Sequence, residues 1–465
     1  RPAHPLGRED SFWRYKQLTK RKLGFISLGC SKNLVDTEMM VGIMEKAGYE
    51  LTEDLSEAQV IIINTCTFID PAKEESVQTI LEAAEYKKTG KCEKLVAAGC
   101  LTQQYKQALG KEIPEIDVFI GTDSWQHILE AVNESYEKDE KVYSFDTTPC
   151  ANEDLIPRQT LTPKYSAYVK IAEGCSKGCT FCYIPYVRGP MHSRTIPSIV
   201  HEVRRLAASG VREFNLIAQD LSCYGRDLKD GTRLASLLKE LVKIDGVKWI
   251  RLFYLYPTYF DDELLDVILH KPKICKYVDI PLQHISDPVL QRMHRRDSSE
   301  SIRTLLRKLR AATPRMTIRT TLMVGFPGET DEDFQKLCDF IKEVRFDDMG
   351  AFKFSPQDGT PAARMTDQVP EEVKENRYHE LMAIQAAISE ENNEDLIGRE
   401  TEALVEELVD DGEGHMQAKG RTAFQAPEVD GNVYIDNPGD LKPGDFVKVK
   451  ITDGYAYDLI AEKID

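Results

Sequence analysis

The sequence predicts an α/β multidomain chain: a Rossmann-like parallel α/β domain, then a partial (β/α)6 barrel of TIM type, then a small five-stranded all-β barrel. Three observations predict it. Residues 23–147 alternate short apolar runs with amphipathic ones, the pattern of a parallel sheet covered by helices. Residues 161–397 repeat a strand-like run followed by a helix-like one six times, as in an open barrel. Residues 398–465 hold five short alternating runs divided by Gly and Asp turns, as in a small barrel. A length of 465 residues also exceeds one ordinary core.

Residues 1–22 carry seven basic and two acidic residues and no apolar core. They read as an unstructured extension, with a basic binding arm as the alternative. In the first domain the expected strands are 24–28, 60–63, 94–98 and 117–120, and the expected helices 35–47, 71–86, 103–109 and 124–136. Three of the strands run into a cysteine, at Cys30, Cys66 and Cys100. In a parallel sheet the carboxyl ends of strands share one edge, where ligands bind. Any one of these cysteines could be a buried core residue. Three at the same place in three units point to a cluster. Cys92, Cys150, Cys223, Cys275 and Cys338 have no such spacing and read as core or surface thiols.

In the middle domain the expected strands are 166–172, 214–219, 249–255, 277–282, 316–324 and 350–354. After the first comes Cys175-Ser-Lys-Gly-Cys179-Thr-Phe-Cys182, a CxxxCxxC loop on the face where such barrels do chemistry. Three close thiolates can hold three irons of a four-iron four-sulfur cluster and leave the fourth open. The alternatives are three unrelated core cysteines or a structural zinc site, which would need a fourth ligand with His192 as the only nearby candidate. Polar pairs at Gln219-Asp220, Gln283-His284 and Arg319-Thr320 are expected at strand ends on the same face. The Gly-rich turn Gly325-Phe-Pro-Gly328-Glu329-Thr330 precedes a helix, where backbone N–H groups can meet an anionic ligand; a simple tight turn is the alternative. A polar helix from Pro370 to Leu396 leads to the terminal barrel.

No stretch approaches the roughly 20 apolar residues of a membrane span, so no membrane partner is expected. Eleven scattered cysteines fit reduced thiols and metal ligation in a cytoplasmic protein rather than a disulfide scaffold. The net charge of −17 is uneven: +5 over residues 1–22, −13 over 23–160, 0 over 161–397 and −9 over 398–465. Acidic surfaces repel phosphate backbones and attract basic partners. In the terminal segment Glu402, Glu406, Glu407, Asp410, Asp411 and Glu413 cluster early, so that barrel is expected to meet a basic protein rather than RNA, unless the acids form a merely solvated face.

The CxxxCxxC loop resembles the radical S-adenosylmethionine (SAM) enzymes. Residues 23–465 resemble the methylthiotransferases within them, through Leu28-Gly-Cys30-Ser-Lys-Asn33-Leu-Val-Asp36, Gly174-Cys175 to Arg194, Asp279-Ile-Pro-Leu-Gln283-His284 and Phe352-Lys-Phe-Ser-Pro-Gln-Asp-Gly-Thr360-Pro. The resemblance implies a methylthiotransferase domain at 23–147, a radical SAM domain at 161–397 and a TRAM barrel at 398–465. It implies two 4Fe-4S clusters, on Cys30, Cys66 and Cys100 and on the catalytic Cys175, Cys179 and Cys182, and a SAM that ligates the open iron of the second. Candidate SAM contacts are Tyr183, Gln283, His284, Gly325, Gly328 and Glu329, with a purely structural role for His284 as the alternative. The LGCSKNLVD wording resembles the RimO type, which methylthiolates the β-carbon of an aspartate in a small-subunit ribosomal protein; the tRNA-adenosine relatives typically read GCQMN there. The acidic charge agrees with a basic ribosomal protein as substrate and disfavours tRNA. Such an enzyme also needs an external electron donor. An iron-sulfur carrier is a different class, and it would need no open iron beside a substrate cavity.

Overall fold

Six parallel strands form the amino-terminal sheet: β1 (Lys22–Ser27), β2 (Glu50–Leu51), β3 (Val60–Thr65), β4 (Lys94–Gly99), β5 (Val118–Ile120) and β6 (Val142–Ser144), in the order β2-β1-β3-β4-β5-β6. The computed structural model describes residues 21–464 other than 139, 147, 151, 152, 314, 411 and 413. The chain falls into two compact units, one running to Leu161 and taking in Ile184–Pro190, the other holding Thr162–Tyr183 and Met191 onward.

Every residue of β3 is buried, because helices cover both faces of the sheet and make a continuous apolar run the stable choice. The sequence pattern finds four of the six strands. It misses β2 and β6, which lie at the two edges and are only two and three residues long. The helix expected at 103–109 is two short helices, Cys100–Tyr105 and Gln107–Glu112, broken at Lys106 with φ of 45°. The expected extension ends too late: Lys22 opens β1, and Arg21 pairs with Glu93 at 3.3 Å and sits 4.1 Å over the Tyr136 ring. Residues 1–20 lie outside the described residues.

Helix Ser31–Lys46 is buried along most of its length. Residues 157–161 cross it, held by a fully buried Arg158–Glu38 pair (Nε–Oε2 2.8 Å) and by Leu161 N donating to Glu38 Oε1 at 2.7 Å. The crossing needs Gly42, since a Cβ there would stand 2.4 Å from the Pro157 carbonyl oxygen.

In the second unit come β7 (Ser166–Lys170), β8 (Ala172–Glu173), β9 (His192–Ser193), β10 (Glu213–Ile217), β11 (Trp249–Leu252), β12 (Tyr277–Gln283), β13 (Thr317–Val324) and β14 (Asp348–Lys353). The parallel triplets β7-β10-β11 and β12-β13-β14 are joined by an Ile250–Ile274 bridge and by Leu255 N donating to Asp279 O at 2.8 Å. Six strands thus follow one another round an open arc in chain order, as expected. The pair β8-β9 is an added antiparallel ladder. The helices between have sequence-readable starts: Thr195 and Asp261 cap theirs, and Ser298 and Thr330 form capping boxes with Ser301 and Asp333.

β15 (Glu400–Asp410), β16 (Met416–Thr422), β17 (Val433–Asp436), β18 (Phe446–Gly454) and β19 (Leu459–Lys463) close a barrel in the order β15-β16-β17-β19-β18. It docks on the amino-terminal ends of the larger barrel's strands. Arg421 of β16 grips Glu213, the first residue of β10, through Nη1–Oε1 at 3.0 Å and Nη2–Oε2 at 2.8 Å. Arg251 reaches Glu213 at 3.3 Å, Tyr277 donates to Asp430 at 2.8 Å, and Trp249 meets Phe446 edge-on at 4.9 Å. Arg319 and Thr320, expected at a carboxyl strand end, are therefore not at one. They lie in the first half of β13, where Arg319 bridges Asp279 (3.2 Å) and Asp430 (3.0 Å). Among the described residues no helix is long and apolar enough to cross a membrane.

Candidate functional site

In a doubly wound sheet the crevice lies where the strand order reverses, beyond the carboxyl ends of the flanking strands. Here the reversal is between β1 and β3, and Cys30 and Cys66 follow those two strands. Cys100 follows β4, next to β3. Cys30 stands exposed as the N-cap of helix Ser31–Lys46, while Cys66 and Cys100 are buried. Gly29 has φ of +86°, and a Cβ there would lie 2.8 Å from Cys66 Sγ. The missing side chain leaves room beside the sulfur.

Asn33 ties this edge together. Its Nδ2 donates to the Leu28 and Thr65 carbonyls, each at 2.9 Å, and its Oδ1 lies 3.8 Å from Cys100 Sγ. Asn64 Nδ2 donates back to Asn33 O at 2.8 Å, and Ser76 Oγ accepts from Cys66 N at 3.0 Å. Burial pushes the Cys66 thiol up and the Cys100 thiol to about 12, against the pull of the nearby Arg188 guanidinium. Metal ligation replaces such protons. Arg188 is a residue that sequence reasoning did not single out, although it lies inside the matched stretch ending at Arg194.

In the second unit Cys175, Cys179 and Cys182 lie partly buried on the loop after β8. The loop is fixed at several points. Glu173 accepts from Lys170 Nζ (3.0 Å), Gln219 Nε2 (2.5 Å) and Gly174 N (3.2 Å). Lys177 pairs with Asp220 at 2.9 Å and lies 3.4 Å over the Tyr256 ring. Thr180 N and Oγ1 donate to the Met293 and Arg292 carbonyls at 3.1 and 2.8 Å, and His294 Nδ1 donates to Gly178 O at 3.0 Å. Burial raises the Cys175 and Cys179 thiols. Cys223, read from spacing as an ordinary thiol, bonds Asp220 and lies close enough to feel the charge of Cys175.

Five of the candidate SAM contacts gather near the turn after β13. Gln283 ends β12 at an irregularity of its ladder and holds φ of +71°, backbone strain of the kind that collects at functional sites. His284 is fully buried, its Nδ1 accepts from Ser286 N at 3.0 Å, and burial lowers its pKa to about 3, so the ring is neutral. Glu329 accepts from Gly325 N (2.8 Å), Phe326 N (3.3 Å) and Arg377 Nη1 (2.8 Å), and lies 3.7 Å from His284 Nε2. Burial raises its carboxyl to about 7. Glu329 thus satisfies the very N–H groups that the sequence offers to an external anion. Gly325 and Gly328 face the side chains of Lys374 and Arg292, and Tyr183 lies against Gly359.

Among the described residues, no three His, Cys, Asp or Glu side chains converge as a single metal ion would require. A four-iron cluster puts each thiolate on a separate iron, so its ligands stand further apart. The donor sets fit such a cluster: three thiols on one edge with a glycine cradle beside Cys66, and three thiols on one fixed loop.

Comparison with known proteins agrees with this chemistry. Residues 22–121 match the family described as Uncharacterized protein family UPF0004, residues 169–341 the Radical SAM superfamily and residues 397–464 the TRAM domain. The chain is 48% identical over 443 residues to the "Ribosomal protein uS12 methylthiotransferase RimO" of Pelobacter propionicus, covering 95% of this chain and 98% of that protein. It is 49% identical over 444 residues to the protein so named in Geotalea uraniireducens, again covering 95% and 98%. Among solved structures it is similar to the radical SAM methyltransferase TsrM of Kitasatospora setae, with a TM-score of 0.54, 14% identity and coverage of 74% of this chain and 77% of that one. The cobalamin-dependent radical enzyme OxsB gives 0.52, 11% identity and coverage of 79% and 56%. At such identities the likeness is one of fold.

Proposed function

The chain belongs to the ribosomal protein uS12 methylthiotransferase (RimO) family of radical SAM enzymes, and from that premise we propose that it inserts a methylthio group at the β-carbon of an aspartate in uS12. The observation that carries the reading is the near full-length identity to proteins of that name, and three cysteines at one sheet edge with three more on one loop support it.

Two four-iron clusters are proposed, one held by Cys30, Cys66 and Cys100 and the other by Cys175, Cys179 and Cys182. When bound, the clusters and SAM supply hydrogen-atom abstraction from a carbon too weakly acidic for a side-chain base, together with the sulfur and methyl groups. The protein's part is placement. Glu173 and Lys177 tie the barrel loop to Gln219 and Asp220 just after β10, and Thr180 ties it to the end of helix Asp287–Arg292, so the thiols are positioned before any ligand arrives. Gln283, His284, Gly325, Gly328, Glu329 and Tyr183 remain the proposed surroundings of SAM. In that arrangement neutral His284 and the Glu329–Arg377 pair keep the turn rigid rather than exchanging protons with substrate. We also propose domain boundaries near 147, 161 and 397, an external electron donor and a cytoplasmic setting.

The test is an anaerobically reconstituted chain supplied with SAM and reductant, assayed in parallel against uS12 and tRNA by mass spectrometry. A methylthio group on a uS12 aspartate alone is expected; modified tRNA would overturn the substrate reading. Replacing Cys175, Cys179 and Cys182 with Ala should abolish 5'-deoxyadenosine formation. Replacing Cys30, Cys66 and Cys100 should remove about half the iron, by the two-cluster count, and leave SAM cleavage in place. Full iron content in the latter protein would refute the first-domain site.

A further inference from the structure

The cysteine edge of the first unit contains a buried cation that the reading above leaves without a role. Arg188 ends the short helix Ile184–Arg188, and its side chain is 3% exposed. Nη1 donates to Asp36 Oδ2 at 3.1 Å, and Nη2 donates to Asn33 Oδ1 at 2.5 Å.

The orientation of Asn33 is forced. Both its amide protons go to the Leu28 and Thr65 carbonyls, so its oxygen must face the other way. That same oxygen is the atom 3.8 Å from Cys100 Sγ. The guanidinium and the sulfur therefore share an acceptor, and the charge stands within two hydrogen-bond lengths of the thiol. Its field also reaches Cys66. Asp36 contacts the guanidinium through the other nitrogen, Nη1.

We propose that Arg188 is the electrostatic positioning residue of the first-domain sulfur site: its buried charge, partly offset by Asp36, sets the reduction potential of the cluster held by Cys30, Cys66 and Cys100. The inference rests on the assignment of a cluster to those cysteines. A buried cation favours the more negative, reduced state of a neighbouring redox group, and low local dielectric strengthens the effect. Removing the cation should therefore lower the potential. Removing the Asp36 charge should raise it, because less negative charge then offsets the cation. A structural role for the same ion pair predicts something else, since both changes would loosen the same contact and neither would act through charge.

The experiment uses the full chain with Cys175, Cys179 and Cys182 replaced by Ala, so that one cluster remains, reconstituted anaerobically and titrated by EPR-monitored potentiometry. Against that parent, Arg188→Met should move the midpoint down, Asp36→Asn should move it up, and Arg188→Lys, which keeps the charge but not the fork, should stay near it. Shifts of the same sign in Arg188→Met and Asp36→Asn, or none in either with iron retained, would overturn the proposal. Should Arg188→Met hold no iron, the other two variants decide: an unmoved Asp36→Asn, or an Arg188→Lys that shifts as far as Asp36→Asn, overturns it. A parent that binds no cluster refutes the cluster assignment itself, and this inference with it.

Discussion

Replacing Arg421 by Met tests what holds the terminal barrel to the radical SAM core. The side chain is 2% exposed and makes four contacts with carboxylates, two with Glu213 and two with Glu406 (Nε–Oε1 2.9 Å, Nη2–Oε1 2.8 Å), besides donating to the Gln425 carbonyl at 3.3 Å. Breaking a buried pair from one side costs roughly 3–5 kcal/mol, because the remaining charge stays buried. Glu213 still keeps Arg251 at 3.3 Å and the Ser166 hydroxyl at 2.8 Å, so the low end, about 3 kcal/mol, applies. In a Glu213→Gln background no fully buried carboxylate is stranded, because Glu406, the other partner, is 24% exposed and water can reach it. The same change should cost only about 1 kcal/mol there, near the worth of an ordinary hydrogen bond. The double-mutant cycle should then give a coupling of about 2 kcal/mol. Urea unfolding followed by fluorescence reads the difference, since Trp249 packs against Phe446 at this contact. An Arg421→Met protein destabilised by less than about 1 kcal/mol, or by the same amount in both backgrounds, would refute the reasoning.

Three further outcomes are expected. Gly42→Ala puts a Cβ 2.4 Å from the Pro157 carbonyl oxygen; it should lift residues 157–161 off their helix at a cost of about 1–3 kcal/mol, seen as faster tryptic cleavage after Arg158. Burial alone would raise the Glu213 carboxyl, but Arg421 and Arg251 overcome it and hold the group at about 2, below its ordinary 4.5. A depressed carboxylate contributes stability that is present above pH 4.5 and lost as pH falls toward 2, so acid unfolding should steepen in that window and flatten in Glu213→Gln, as Trp249 fluorescence against pH would report. Finally, Glu407→Lys with Asp410→Lys should weaken uS12 binding and make it less salt-sensitive, measured at two ionic strengths; unchanged affinity would assign those acids to solvation alone.

What the sequence made legible was whatever repeats or is local. Strand periodicity located the six barrel strands and the five of the terminal barrel, and cysteine spacing picked out Cys30, Cys66 and Cys100 at one sheet edge. The two missed strands, Glu50–Leu51 and Val142–Ser144, are too short to carry a period, and their partners rather than their residues define them. Arg188 escaped because its meaning lies in Asn33 and Asp36, more than 150 positions earlier in the chain, and no local pattern encodes such a pairing. Arg319-Thr320 was misplaced for a related reason. A polar pair inside an apolar strand looks like a strand end until the partner Asp430 is known. Asp411 and Glu413, named among the acids of the terminal barrel, lie outside the described residues.

The docking of the terminal barrel also changes what its charge can mean. Glu402 is held by Lys248 at 2.8 Å, Glu406 by Arg421, and Asp430 by Arg319 and Tyr277. These three acids therefore serve the contact with the core and are not a free anionic face. Glu407 and Asp410 are exposed, and no ion pair is found for either among the described residues, so any attraction for a basic protein falls to acids of that kind. The contact lies at the amino-terminal ends of β10 to β13, the end of the barrel that reads as stability, whereas the cysteine loop follows the first strand at the opposite, chemical end. A module tethered by a flexible linker would raise only the effective concentration of a bound partner. One fixed by buried ion pairs holds its partner in a constant relation to the barrel, so affinity gained at the acidic surface also becomes orientation at the barrel's reactive face.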